Sequence, residues 1–168
     1  LLRGAGPKGL AAMPPSAEFA AGQHGRPLLS VSRDELQQYA NQHALVWIDD
    51  ESNFDTGFER NFLRHEILPL LKARFPAVAG TLSRSASLCA EAAELLTASA
   101  LTDIETLTLT ENSLSVSRVS ALGETRARNV LHQWIHAAGF PVPTAAQMQR
   151  VWQDVMCSAA DSCPLVSW

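Results

Sequence analysis

The chain has 168 residues, of which 46% are hydrophobic and 18% charged, with a formal net charge of −4. This composition predicts a folded chain and excludes a disordered or low-complexity one. No apolar run approaches the roughly 20 residues of a membrane-spanning helix, and the start lacks the features of a secretory signal. We therefore expect a soluble, cytoplasmic protein.

The first predicted elements are a helix and a short strand. Ser32 or Ser30 would cap a helix over 33–44, whose apolar residues recur at helical spacing. The apolar run 45–48 that follows indicates a strand. The sequence thus predicts a compact helix-strand unit before its most polar stretch.

Two helices are predicted in the middle of the chain. One begins near Glu59, and Pro69 should end or kink its first half. The other begins at Pro76, which suits a first helical turn, and its apolar residues recur every three or four positions up to Leu96. Long amphipathic helices of this kind commonly join domains.

The pattern changes after Thr102. Residues 107–110 and 113–117 alternate apolar and polar around Glu111 and Asn112, which predicts a β-hairpin and the start of a domain.

The last part of the chain is predicted to be helical. Helices over 120–138 and 144–156 are separated by Gly139 and Pro141. Residues 164–168 look like a strand that is cut short.

The polar stretch 47–64 has two interpretations. Five of its side chains favour turns and helix starts: Asp49, Asp50, Ser52, Asn53 and Asp55. A capped loop would explain them. However, Arg60 and Arg64 lie one helical turn apart on one face of the next helix, where they could clamp a phosphate or a carboxylate.

The remaining motifs are weaker. Gly4, Gly6 and Gly9 satisfy G-x-G-x-x-G, but Pro7, Pro14 and Pro15 argue against the helix that a dinucleotide fingerprint needs. A glycine-bounded turn is favoured, in which Arg3 could face a phosphate.

The pair His132 and His136 has the spacing of a zinc protease, but Gln133 replaces the glutamate that serves there as general base. Trp134 and Trp152 lie on apolar stripes and are assigned to the core rather than to base stacking. Three cysteines without a C-x-x-C motif predict reduced thiols and no structural zinc: Cys89, Cys157 and Cys163.

Charge is distributed unevenly along the chain. Residues 58–84 carry five basic side chains against two acidic ones, whereas residues 89–124 carry six acidic ones against one basic one. A short basic face supplies only a few phosphate contacts, so RNA binding would need other surfaces as well. A solvated face of mixed sign is the alternative.

Several segments together resemble the bacterial tRNA(Ile)-lysidine synthetases. The family motifs R-G-S-G-x-x-G-L-x-x-M, R-P-L-L, R-x-E-L, W-x-E-D-x-S-N-x-D and R-N-x-x-R are matched in the same order by residues 3–13, 26–29, 33–36, 47–55 and 60–64. Residues 76–96 resemble the family's linking helix, and 161–165 resemble a segment of its next domain.

The chain also departs from the family. The S-G-G-x-D-S loop and the H-H-x-D-D-Q-x-E-T segment of the family's ATP site do not occur, and the chain begins with Leu1 rather than methionine. Ala5 and Asp49 stand where the family usually has serine and glutamate. We therefore expect a piece of a longer protein.

The resemblance implies a mainly α chain with a small β-hairpin. Residues 1–75 would be the C-terminal edge of an α/β PP-loop domain of Rossmann-like type. Residues 76–102 would be the linking helix, and 103–168 the start of an α+β accessory domain that binds tRNA.

The resemblance also implies a function, the ATP-dependent ligation of lysine to the wobble cytidine of a CAU-anticodon tRNA(Ile) through an adenylated tRNA. ATP with Mg²⁺ would be bound mainly by residues missing from this chain, and the catalytic residues stay unassigned. The partners would be tRNA(Ile) and L-lysine, with homodimer formation left open.

The resemblance and the residues together give a set of candidate site residues. Those expected to bind substrate or phosphate are Arg3, Gly4, Gly6, Arg60, Asn61 and Arg64, and those expected to shape the loop are Asp50, Ser52 and Asn53. The alternatives are a non-catalytic tRNA-binding or scaffolding fragment and, last, a tRNA thiolase, whose paired cysteines are not found here.

Overall fold

The computed structural model describes residues 5–48, 50–110, 113–159, 162 and 164–167. Contacts divide the chain into two compact units, unit 1 over Leu1–Ala90 and unit 2 over Glu91–Trp168. The described residues are mainly helical and contain two antiparallel two-stranded sheets, one in each unit. The prediction of a mainly α chain is confirmed, with one hairpin more than expected.

Unit 1 begins with a short helix and the unexpected hairpin. Helix α1 spans Pro7–Leu10, and strands β1, Ser16–Phe19, and β2, Gly22–Gly25, form the hairpin. Pro7 was expected to argue against a helix here. It instead occupies the first turn of α1, where its missing N–H costs nothing, and this short helix forms. The hairpin turn contains Ala20 at a φ of 50°. The turn has no Asn-Gly pair, which is the usual sequence signal of such a hairpin.

Helix α2, Arg33–Gln42, confirms the helix predicted after Ser32. The hydroxyl of Ser32 accepts a hydrogen bond from the backbone N–H of Glu35, and the carboxylate of Glu35 accepts one from the backbone N–H of Ser32. These bonds lower the pKa of Glu35. This capping box satisfies two N–H groups that the helix itself leaves free.

The strand predicted over 45–48 is wrong. These residues are irregular, and the side chains of Val46 and Ile48 are almost fully exposed. Because no strand of the described residues pairs with this segment, it has no ladder of hydrogen bonds to join.

The second predicted helix is one continuous helical run with a wider turn inside it. Helix α3, Glu59–Phe62, passes into a π-helical turn, Leu63–Ile67, and then into α4, Leu68–Arg74. In a regular α-helix the ring of Pro69 would clash with the carbonyl four residues earlier. The π turn directly before Pro69 removes that clash, so the expected disturbance is confirmed as a widened turn.

The long helix is α5, Val78–Leu107, which contains the boundary between the two units. At 1.5 Å per residue it is about 45 Å long. It extends beyond the end expected near Thr102. Several of its Ser and Thr hydroxyls donate to the carbonyl four residues earlier, as Thr97 does to Ala93.

Unit 2 continues with the predicted hairpin, formed by β3, Thr108–Thr110, and β4, Ser113–Leu114. The hairpin is confirmed but shorter than expected. Its turn-forming pair, Glu111 and Asn112, lies outside the described residues.

The helix predicted over 120–138 is two helices. Helix α6 spans Val116–Ala121, and α7 spans Glu124–Ala137. Gly123 between them has a φ of 80°, a conformation that cannot continue an α-helix. The prediction of one helix is therefore wrong at Gly123.

The last helix is α8, Ala145–Arg150, which runs into a π-helical segment, Val151–Met156. Thr144 and Gln147 form a second capping box at its start. The strand expected over 164–168 is not formed in the described residues 164–167, so that prediction is wrong there.

The apolar core lies in unit 2. Its buried hydrophobic residues are Ala100, Leu107, Val119, Ala127, Val130, Leu131, Ile135, Met148 and Val151. Trp134 and Trp152 pack against this core, which confirms their assignment. In the described part of unit 1, by contrast, the only buried residue is the polar Asn61.

Candidate anion-binding site

The acid-rich loop, residues 50–58, is a capped turn. A 3₁₀ turn, Glu51–Phe54, is capped by Asp50, whose carboxylate accepts a hydrogen bond from the backbone N–H of Ser52 at 2.9 Å. That bond lowers the pKa of Asp50. Asp55 accepts similarly from the N–H of Gly57 at 2.8 Å. Both carboxylates thus stabilise the loop, as their turn propensity predicts.

Asn61 fastens this loop to helix α3. Its side-chain Nδ2 donates to the backbone carbonyls of Ser52, at 2.8 Å, and of Asp55, at 2.9 Å. A carboxamide has two N–H donors, and both are used here. Both donors of the Asn61 amide are therefore committed to the loop.

His65 makes a second link between the loop and the helix. Its Nε2 lies 2.9 Å from the backbone carbonyl oxygen of Asn53. Because a carbonyl can only accept, Nε2 carries the proton and donates. The imidazole also stacks on Phe54, with ring centroids 5.8 Å apart and planes at 29°.

Arg60 and Arg64 lie on consecutive turns of this helical run, beside the loop. Arg60 is in α3 and is exposed, and Arg64 is in the π turn and is half-buried. Within the residues that the structure describes, neither guanidinium forms a salt bridge or a side-chain hydrogen bond. Two such groups can donate to one oxyanion at several points.

The structure brings together some of the predicted site residues. Asp50, Ser52 and Asn53 form the loop, and Asn61 holds it beside the helix that carries Arg60 and Arg64. Gly6 lies on a separate element, as the residue that precedes α1. Three predicted residues lie outside the described residues: Arg3, Gly4 and Asp49.

Sequence reasoning missed the contact of His65 with the loop. It also missed an ion pair in unit 2 between an exposed arginine and a buried aspartate, where Arg126 in α7 donates through two nitrogens to Asp103 in α5, each at 2.7 Å. The Arg126 guanidinium holds the pKa of Asp103 below its usual range. The two residues are far apart in sequence, so no local pattern could have indicated the pair.

Over the described residues, no three side chains of His, Cys, Asp or Glu come together in a way that could hold a metal ion. None of the helices that the structure describes is both long and apolar enough to cross a bilayer.

Two protein families match the chain. A PP-loop domain family matches residues 1–71, which include the acid-rich loop and both arginines, and a TilS substrate binding domain family matches residues 114–168. The first part of the chain is therefore similar to PP-loop domains.

Whole-chain similarity identifies the relatives more narrowly. A tRNA(Ile)-lysidine synthase of Coxiella burnetii is 43% identical over 168 residues, which are 100% of this chain and 37% of that protein. The synthase of Edwardsiella ictaluri is 41% identical over 98% of this chain and 37% of its own length. That of Methylococcus capsulatus is 43% identical over 100% of this chain and 39% of its own. The chain is a relative of the tRNA(Ile)-lysidine synthases and spans less than half their length.

Proposed function

We propose that this chain is part of a ligase that joins lysine to the wobble cytidine of a CAU-anticodon tRNA(Ile). The observation that carries the proposal is the pair Arg60 and Arg64. Both guanidiniums are without a side-chain partner in the described residues, beside a loop fastened by Asn61 and within the PP-loop match. The names of the relatives supply the reaction.

The proposed chemistry has two steps. The O2 atom of the cytidine attacks the α-phosphate of ATP, which releases pyrophosphate and leaves an adenylated base. The lysine amine then attacks C2, AMP leaves with the oxygen, and the amine loses a proton. Negative charge develops on phosphate in both steps, where fixed donors are most effective.

Arg60 and Arg64 fit an anionic group of this reaction, either a nucleotide phosphate or the lysine carboxylate. Asp50 and Asp55 belong to no group of three metal-ligand side chains within the described residues, so we assign neither of them to Mg²⁺. In this proposal ATP with Mg²⁺ is held mainly by residues other than those of this chain. Gly6, Arg3 and Gly4 would line the nucleotide side of the site.

We propose the same division of the chain as the sequence predicted, with residues 1–75 in the ligase domain, 76–102 as linker and 103–168 in the tRNA-binding domain. A tRNA substrate would place the protein in the cytoplasm.

The test uses a chimera in which these 168 residues replace the matching segment of the Coxiella burnetii synthase. Lysine incorporation into a tRNA(Ile) transcript is measured for the parent chimera, Arg60→Ala, Arg64→Ala and the control Arg33→Ala. Arg33 is an exposed arginine at the start of α2. We expect Arg60→Ala and Arg64→Ala each to lower the rate of lysine incorporation more than about tenfold, because each removes a charged donor to the transition state. The rate of the Arg33→Ala control should not change. Losses within a few-fold would contradict the assignment.

A second candidate function is a non-catalytic tRNA-binding or scaffolding fragment. The observation that favours it is the buried apolar core of unit 2, most of which lies in the part that matches a substrate binding domain. Titration of the 168-residue chain with a tRNA(Ile) transcript tests it. Specific binding by the chain, together with an inactive chimera, would favour this function over the ligase.

A further inference from the structure

The acid-rich loop is attached to its helix at two places of different character. The Asn61 amide is buried and bonds the carbonyl of Ser52, within the 3₁₀ turn, and that of Asp55, directly after the turn. His65 is exposed and reaches the middle of the turn, at Asn53. His65 follows Arg64 directly in sequence, so the bond to Asn53 attaches the loop to the same helical turn that carries Arg64.

The π turn provides the backbone for this contact. The N–H of Leu68 bonds to the carbonyl of Leu63, five residues back, and the turn between them carries both Arg64 and His65. Pro69 lacks an N–H and excludes the regular α-helical turn over His65. His65 thus bonds Asn53 from a widened turn, and π turns of this kind are frequent at functional sites.

We propose that His65 is a positioning residue, which acts by holding the Asn53 carbonyl and the Phe54 ring so that the loop and the guanidinium of Arg64 keep one relative orientation. This inference rests on the proposed function only for its consequence on catalysis. The contact itself can be tested without any activity.

The position of the donor nitrogen in His65 distinguishes a glutamine replacement from an asparagine replacement. The donor is Nε2, the nitrogen farther from the backbone. A glutamine places its amide N–H₂ at about that distance, whereas an asparagine places it nearer to the backbone, where the other ring nitrogen lies. Gln should therefore replace the hydrogen bond of His65, and Asn should not.

The first test is amide hydrogen exchange on the 168-residue chain. We expect His65→Ala and His65→Asn to increase exchange at Ser52 and Asn53 about tenfold, as for loss of one net hydrogen bond, and His65→Gln to restore protection. His43→Ala is the matched control. His43 also packs on an aromatic ring, with 4.2 Å between its ring centroid and that of Tyr39, but it lies at the C-terminal end of α2, outside the loop. Unchanged loop exchange in His65→Ala would overturn the proposal.

The second test measures lysine incorporation in the chimera. We expect His65→Ala and His65→Asn to lower kcat about tenfold at nearly unchanged KM for tRNA, and His65→Gln to stay within a few-fold of the parent. The fraction of folded chimera is measured alongside, because a role in folding alone would lower that fraction and leave the rate per folded molecule unchanged. Equal rates for all three variants in an active chimera would overturn the positioning role. An inactive parent chimera would count against the proposed ligase, while hydrogen exchange would still decide the role of His65 in the loop.

Discussion

In unit 2, apolar side chains from α5, α6, α7 and α8 bury one another, whereas the described part of unit 1 buries one side chain, the amide of Asn61. The candidate site lies in the unit that lacks a described apolar core. Its loop is held by hydrogen bonds from Asn61 and His65, which are directional. The comparison shows that a site can be fixed in geometry by polar contacts where burial supplies little stability.

The largest expected effect is in unit 2. Leu131→Ala removes most of a side chain that α7 contributes to the core. It should lower the free energy of unfolding of unit 2 by about 2–5 kcal/mol, because less apolar surface is buried and a cavity remains. Hydrogen exchange resolved by unit gives the measurement. The matched control is Leu36→Ala in α2, which is 38% exposed and should cost less than about 1 kcal/mol. Equal losses for both variants would show that the contrast between the units is wrong.

A smaller effect is expected at the buried amide of unit 1. Asn61→Ala leaves the carbonyls of Ser52 and Asp55 without their donor and should destabilise the loop by about 1–3 kcal/mol. Exchange at the loop amides should rise, while that of unit 2 should not change. Loop exchange equal to that of the parent chain would contradict the role of Asn61.

A third prediction concerns the ion pair in unit 2 and its dependence on pH. Because Arg126 lowers the pKa of Asp103 in the folded state, the unfolded state binds this proton more tightly. The pair therefore contributes its full stability above the unfolded pKa, about 3.9 for an aspartate. That contribution is lost as the pH falls through the lower, folded value.

Asp103→Asn should lower the thermal midpoint at pH 6 by a few degrees. The difference from the parent should shrink as the pH approaches 3. Thermal unfolding of both chains across this range provides the measurement. A difference that does not depend on pH would show that Asp103 acts through packing rather than charge.

The sequence was most informative where local chemistry decides the structure. The Ser32 cap, the long helix after Pro76 and the second hairpin follow from capping residues and periodicity, and the structure confirms them. The strand expected at 45–48 was wrong because a strand needs a partner, which apolar character alone does not reveal. The helix break at Gly123 required a backbone conformation that the apolar pattern on either side concealed.

The contacts of the candidate site also divide into those that the sequence could predict and those that it could not. The turn-forming role of Asp50 and Asp55 could be predicted, since each bonds a backbone N–H two residues away. The contacts of Asn61 and His65 could not, since they connect residues from 6 to 12 positions apart and depend on the path of the chain through the π turn. The functions of Arg60 and Arg64 stay predictions.

The most direct test of the central claim is a double-mutant cycle on lysine incorporation in the chimera, with Arg60→Ala, Arg64→Ala and the double variant. If both guanidiniums hold one anion, the double variant should lose little more than the worse single variant, because groups that act as a unit are not additive. Losses that multiply would show two independent roles. A double variant as active as the parent would contradict the account of the site.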